Sequence, residues 1–258
     1  GLLWREGGDF WRDLAEAIAA PGGWAEVAVA RGFGPGTPEH QRAQAWGFVK
    51  LGHASPLTAN SGAQTLALLA YAYHGKAAGL SVADVSDPGF LAWLEGVERS
   101  TVGFGASTGD LMTSMVQFGP SRFDAVLVYE NLAIASADAA AARWGQPVRV
   151  LYPPATMVSD HPYAVLGAPL ADSDQRAAAE RFRAFLLSEP IQSLALQHGL
   201  RPALAQVAVD GDGSPFVRME PYGVRVSLGA QAETPPAEVT RALIEQWERR
   251  IEPLTLRP

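Results

Sequence analysis

Apolar and polar positions along the chain change period repeatedly, and each change marks an element. Phe10, Leu14, Ala17 and Ile18 recur at helical spacing and predict a helix over Asp9 to Ala20, stopped by Pro21-Gly22-Gly23. Arg31 to His40 is rich in Gly and Pro and reads as loop, and Phe48 to Leu51 as a short strand running into Gly52-His53-Ala54-Ser55-Pro56. Thr58-Ala59-Asn60-Ser61-Gly62 then offers candidate N-caps for an apolar helix from Ala63 to His74, ended by Gly75. Asp84 to Gly89 reads as a turn, and Phe90 to Arg99 is amphipathic through Leu91, Leu94 and Val97. A second punctuated unit leads from Thr101-Val102-Gly103-Phe104-Gly105 through Ser107-Thr108-Gly109-Asp110 into a helix over Leu111 to Phe118.

Phe123 to Glu130 is almost continuously apolar, the pattern of a strand buried on both faces of a parallel or mixed sheet. Ala133 to Trp144 reads as helix and Val148 to Tyr152 as strand. The chain changes character at Pro153-Pro154. Tyr163 to Leu166 reads as strand, Ser173 to Leu187 and Pro190 to His198 as helices, Asp210-Gly211-Asp212-Gly213 as a turn, and 235–250 as a last helix carrying Leu243 and Trp247. Alternating strands and helices without an internal repeat give an α/β class.

Composition narrows the function. The 258 residues are 48% hydrophobic, enough for one large domain or two lobes. With no cysteine there is no disulfide framework, thiolate metal site or cysteine nucleophile. The net charge of −7 and the lack of a basic run argue against nucleic acid. No apolar stretch reaches the length that spans a bilayer, so no direct membrane insertion is expected. His40, His53, His74, His161 and His198 show no metal-ligand spacing, so neither a metal nor a cofactor is expected. The first residues, Gly1-Leu2-Leu3-Trp4-Arg5, show neither an initiator Met nor a signal peptide, and the chain reads as processed or cut from something longer.

Two loops place hydroxyl and small residues just before a helix: Asn60-Ser61-Gly62 and Ser107-Thr108-Gly109. Free backbone N–H groups and the positive end of the helix dipole suit such starts to anions, with neutral hydroxyls adding donors. Singly, each is accounted for by capping; two in one α/β unit point to a binding cleft at the carboxyl ends of the strands. Tyr129 and Glu130 end the apolar run where polar side chains face such a cleft. Gly105-Ala106-Ser107-Thr108-Gly109 also matches the nucleophile elbow of serine hydrolases, with Asp160-His161 downstream. A random chain of this length gives that match roughly once in seven tries, and adjacent Asp and His side chains align poorly as orienter and base.

The order of motifs resembles a known family. Gly52-His53-Ala54-Ser55-Pro56-Leu57-Thr58-Ala59-Asn60-Ser61-Gly62, Ser107-Thr108-Gly109-Asp110-Leu111, Phe123 to Asn131, Tyr152-Pro153, Asp160-His161-Pro162 and Gly199-Leu200-Arg201-Pro202-Ala203 are similar to bacterial extracellular solute-binding proteins over about residues 4–203. The resemblance is to the branch with molybdate- and sulfate-type binding proteins and solute-binding domains fused to von Willebrand factor A modules.

The resemblance implies a two-lobed type II periplasmic-binding-protein fold that holds a small solute between its lobes, without catalysis, in the periplasm or at the cell surface. It implies ligand-binding roles for Asn60 and Ser61, for Ser107 and Thr108, and for Tyr129, beside which Glu130 is the further candidate. The first lobe's opening strand-helix-strand has no counterpart, so that lobe is expected to be incomplete at the N-terminus. Residues 1–150 would then form the second-lobe unit with the ligand loops, and 151–258 the return to the first lobe plus a C-terminal extension. The expected partners are a small or anionic solute, a membrane transporter or fused module, and the missing N-terminal segment. A serine hydrolase using Ser107 and a ligand-free interaction scaffold stand as alternatives.

Overall fold

A computed structural model describes residues 10–167 and 169–251. Gly1 to Asp9, on which the reading of the chain start rested, lie outside the described residues. The chain divides into two compact units and crosses between them four times: one unit holds 1–129, 152–157 and 230–258, the other 130–151 and 158–229. Pro153-Pro154, where the sequence changes character, lies in the short middle segment of the first unit.

The first unit is mixed α/β. Helices α1 (Phe10–Ala19), α2 (Gly23–Ala30) and α3 (Pro38–Trp46) precede strand β1 (Leu51–Ala54). Then come α4 (Asn60–His74), α5 (Val82–Val85), α6 (Pro88–Glu98), β2 (Thr101–Gly105), α7 (Thr108–Phe118) and β3 (Ala125–Val126). The second unit holds α8 (Glu130–Ala135), α9 (Ala137–Trp144), α10 (Ser173–Leu186), α11 (Glu189–Gln197) and α12 (Pro215–Met219), and α13 (Ala237–Arg250) returns to the first.

All strands of the sheet are parallel, in the order β2-β1-β3. The carboxyl ends of β1 and β2 therefore lie side by side, Ala54 in register with Gly105, and feed directly into α4 and α7. Gly52 sits mid-strand because Phe123 covers it: a Cβ there would lie 2.7 Å from the ring. One core joins Leu66, Ala70 and Tyr71 of α4 to Phe90, Leu91 and Leu94 of α6 and Val239, Leu243 and Trp247 of α13. Another joins Leu14 and Ala17 of α1 to Trp24, Val27 and Ala28 of α2, Ala43 of α3 and Leu51 of β1.

Several local expectations change. The loop expected over Arg31 to His40 gives way to α3 at Pro38, since Thr37 accepts from His40 N and Pro38 takes the first helical position. Thr101–Gly105 is a strand despite two glycines, because pairing with β1 overrides weak local propensity. The strand expected over Phe123 to Glu130 pairs only at Ala125 and Val126, for β1 ends at Ala54 and a helix begins at Glu130; residues 124–130 are half-buried rather than buried on both faces. No strand forms over 148–152 or 163–166: Val150 N donates instead to Tyr222 O, and among the described residues every regular element of the second unit is a helix.

In that second unit Ile134, Ala137, Leu196, Phe216, Met219 and Val224 form the core. Arg201 is its polar hub. Its guanidinium pairs both carboxylate oxygens of Glu130 at 2.7 and 2.9 Å, donates to Val226 O and Arg225 O, and lies over the Phe216 ring.

Candidate functional site

The sheet edge where β1 and β2 end is built by close backbone approach. The first turn of α4 rests on the 54–56 backbone: a Cβ at Gly62 would lie 2.3 Å from Ala54 O and 2.6 Å from Pro56 N. Glycine alone permits this, which explains a glycine in a helix's first turn. The helix starts earlier than the sequence suggests. Its N-cap is Ala59, with no side-chain hydrogen bond, so Asn60 and Ser61 are not caps but the first two helical residues. Their N–H groups are among the four that a helix cannot satisfy internally.

The neighbouring start of α7 is closed differently. Ser107 is its N-cap and its Oγ accepts from Asp110 N at 3.1 Å. Ser107 has extended backbone (φ −136°, ψ 154°), not the strained turn of a nucleophile elbow, and its hydroxyl is engaged in capping. Asp160 and His161 belong to the other unit.

Between the two starts, the residues chosen from sequence meet in pairs. Ser61 Oγ and Thr108 Oγ1 lie 2.5 Å apart, and both residues are buried. Asn60 Nδ2 donates to Tyr129 Oη at 3.3 Å, bringing the residues that follow β1 and β3 together at the more exposed side. Thr58 Oγ1 donates to Ala106 O at 3.5 Å, linking the loops themselves. Glu130 is in the second unit, with its carboxylate on Arg201. A hollow of about 320 Å³ lined by Ile18, Phe48, Val49, Arg99 and Ser100 lies at the opposite, amino ends of β1 and β2 and touches none of these residues.

The hydrogen count of the two pairs decides what they can hold. In the Ser61–Thr108 bond one hydroxyl donates, which leaves the other hydroxyl's hydrogen unspent. Tyr129 accepts from Asn60, so its own O–H is free to donate, as is the second N–H of Asn60. The loop residues 55–62 and 106–109 contain no Lys or Arg. The site is thus rich in neutral donors aimed from helix starts, and among the described residues no group of His, Asp and Glu could hold a metal ion.

Residues 11–201, close to three quarters of the chain, match the family of bacterial extracellular solute-binding proteins. The chain belongs to that family. Neither a curated protein nor a solved structure matches it. Membership gives this solute-binding protein a binding role, which is non-enzymatic, and a periplasmic or extracellular location. Among its described residues no helix is long and apolar enough to cross a membrane.

One arrangement in the solute-binding protein escaped the sequence. His53 of β1 and Glu98 at the end of α6 are both buried, with Nε2 and Oε2 2.9 Å apart. Trp247 Nε1 and Thr101 Oγ1 donate to the same carboxylate. The partners stand 45 and 149 residues apart, so no local spacing signals them.

Proposed function

We propose that the solute-binding protein holds a small oxyanion at the starts of α4 and α7, through the side chains of Asn60, Ser61, Thr108 and Tyr129, and with the first-turn backbone N–H groups of Asn60 and Ser61. The observation that carries this reading is the donor surplus: among the described residues the Ser61–Thr108 pair leaves one side-chain hydrogen to donate and the Asn60–Tyr129 pair two, at the positive ends of two helices. A group made only of acceptors uses all of these donors. An anion held by neutral dipoles needs no buried cation, in keeping with loops that lack Lys and Arg. Glu130, engaged by Arg201, serves the second unit in this reading. The two-unit division supports a two-lobed binding protein of the type II class, and family membership supports capture for import by a membrane transporter.

Calorimetry with molybdate, sulfate and acetate, and with an uncharged sugar as contrast, tests the proposal. An oxyanion is expected to bind and to raise the melting temperature, since a ligand of the folded state stabilises it. Thr108→Val combined with Tyr129→Phe should then lower affinity at least tenfold, about 1.4 kcal/mol, with little loss of folding stability. Equal affinity in the double variant, or binding of the sugar alone, overturns the assignment.

A further inference from the structure

We infer that His53 and Glu98 are positioning residues for the ligand-holding first turn of α4, acting through the Ala54 carbonyl; this rests on the site proposed above. His53 Nδ1 lies 2.9 Å from Ala54 O, a group that only accepts, so Nδ1 carries a hydrogen. Nε2 faces Glu98 Oε2 at 2.9 Å, and one hydrogen lies between them. Whether the pair is written as imidazolium and carboxylate or as imidazole and carboxylic acid, it is neutral as a whole, which suits its burial. Trp247 Nε1 and Thr101 Oγ1 fix the carboxylate from α13 and β2 at 3.2 Å each, and the Phe104 ring stands edge-on between the His53 and Trp247 rings. The imidazole therefore has one orientation, and so does the carbonyl it holds.

That carbonyl is the surface on which α4 starts. Ala54 O is the atom nearest to the place a Gly62 Cβ would occupy. Gly62 directly follows Asn60 and Ser61, whose side chains meet Tyr129 and Thr108. A rotation of the Ala54 peptide thus moves the α4 start and both side-chain pairs. A buried ion pair made only for stability would be replaceable by apolar packing with little consequence at a distance; this one ends on the backbone beneath the site.

The test compares amide spectra of the wild-type protein and the paired variant His53→Phe/Glu98→Gln, first without ligand. Phe keeps the ring packed on Phe104, and Gln keeps an acceptor for Trp247. The expected result is displaced amide resonances for Asn60, Ser61, Gly62 and Ala63, with those of α10 and α11 unchanged. Nitrogen-edited spectra of the wild type should show a bound hydrogen on His53 Nδ1. Molybdate affinity should fall roughly 10–100-fold, as when partners behind a ligand-holding group are removed. Glu98→Gln alone gives the same amide readout should the paired variant fail to fold. Unmoved resonances over 60–63, or an Nδ1 without hydrogen, overturn the inference. A wild-type protein that binds no oxyanion overturns the proposed function instead, while the amide comparison still decides the positioning role.

Discussion

The starts of α4 and α7 lie side by side at the same sheet edge and are finished in opposite ways. In α7 the Ser107 hydroxyl takes up the Asp110 N–H, the ordinary solution for a helix that must stand alone. In α4 the cap position holds alanine, and the hydroxyl and amide side chains sit one and two residues later, where they reach across to Thr108 and Tyr129. α5 shows the closed start in its fullest form, a reciprocal box between Ser81 and Asp84. The difference teaches that polar residues before a helix are not interchangeable: a shift of one or two positions turns a cap into a side chain that reaches a neighbouring element.

The comparison can be broken most forcefully at Gly62. Gly62→Val puts a branched side chain against Ala54 O and should cost about 3 kcal/mol, the upper range for overpacking, in urea unfolding, together with oxyanion binding. Ser107→Ala removes the α7 cap and should cost about 1 kcal/mol, with a change in molybdate affinity of less than roughly threefold; a larger loss would place Ser107 among the ligand-holding groups. Ala59→Ser gives α4 the kind of cap that α7 has. Ala59 already has extended backbone (φ −137°, ψ 134°), so a gain of about 1 kcal/mol in stability is expected at the expense of severalfold weaker molybdate binding, measured by calorimetry.

The smallest effect is expected at α5, away from the site. Lys76 and Ser81 hold the Asp84 carboxyl well below its ordinary value of 3.8. A depressed folded-state value means that the charge stabilises the fold above the ordinary value, and that this contribution is lost as the pH falls below it. Asp84→Asn should cost about 0.5 kcal/mol at neutral pH and nothing in strong acid, with molybdate affinity unchanged.

Part of the candidate site is legible in the sequence. Asn60, Ser61, Thr108 and Tyr129, which meet in pairs, follow from short polar clusters at the junctions of strong apolar runs, and such junctions are local; the same pattern also picked out Ser107, which caps α7, and Glu130, which pairs with Arg201 in the second unit. The exact helix start was not legible, because Asn and Ser are good caps by propensity and only the close approach of Gly62 to the 54–56 backbone moves the first turn forward. The His53–Glu98–Trp247 arrangement was invisible for another reason. Its members lie on three elements, and nothing in a helix pattern distinguishes a carboxylate that will be buried from one that will be solvated.

By itself the sequence determined the class of elements, the helices ended by Gly75 and Gly119-Pro120, the absence of thiol chemistry and the hydroxyl-rich loops, since all of these depend on neighbouring residues. Tertiary structure decided the rest. It made Thr101–Gly105 a strand by pairing it with β1, ended the 123–130 run after two paired residues, and kept 148–152 and 163–166 out of any strand. A strand exists only where another chain segment supplies hydrogen-bonding partners, and the side-chain pairs of the candidate site only where two helix starts meet, so both are properties of distant residues brought together.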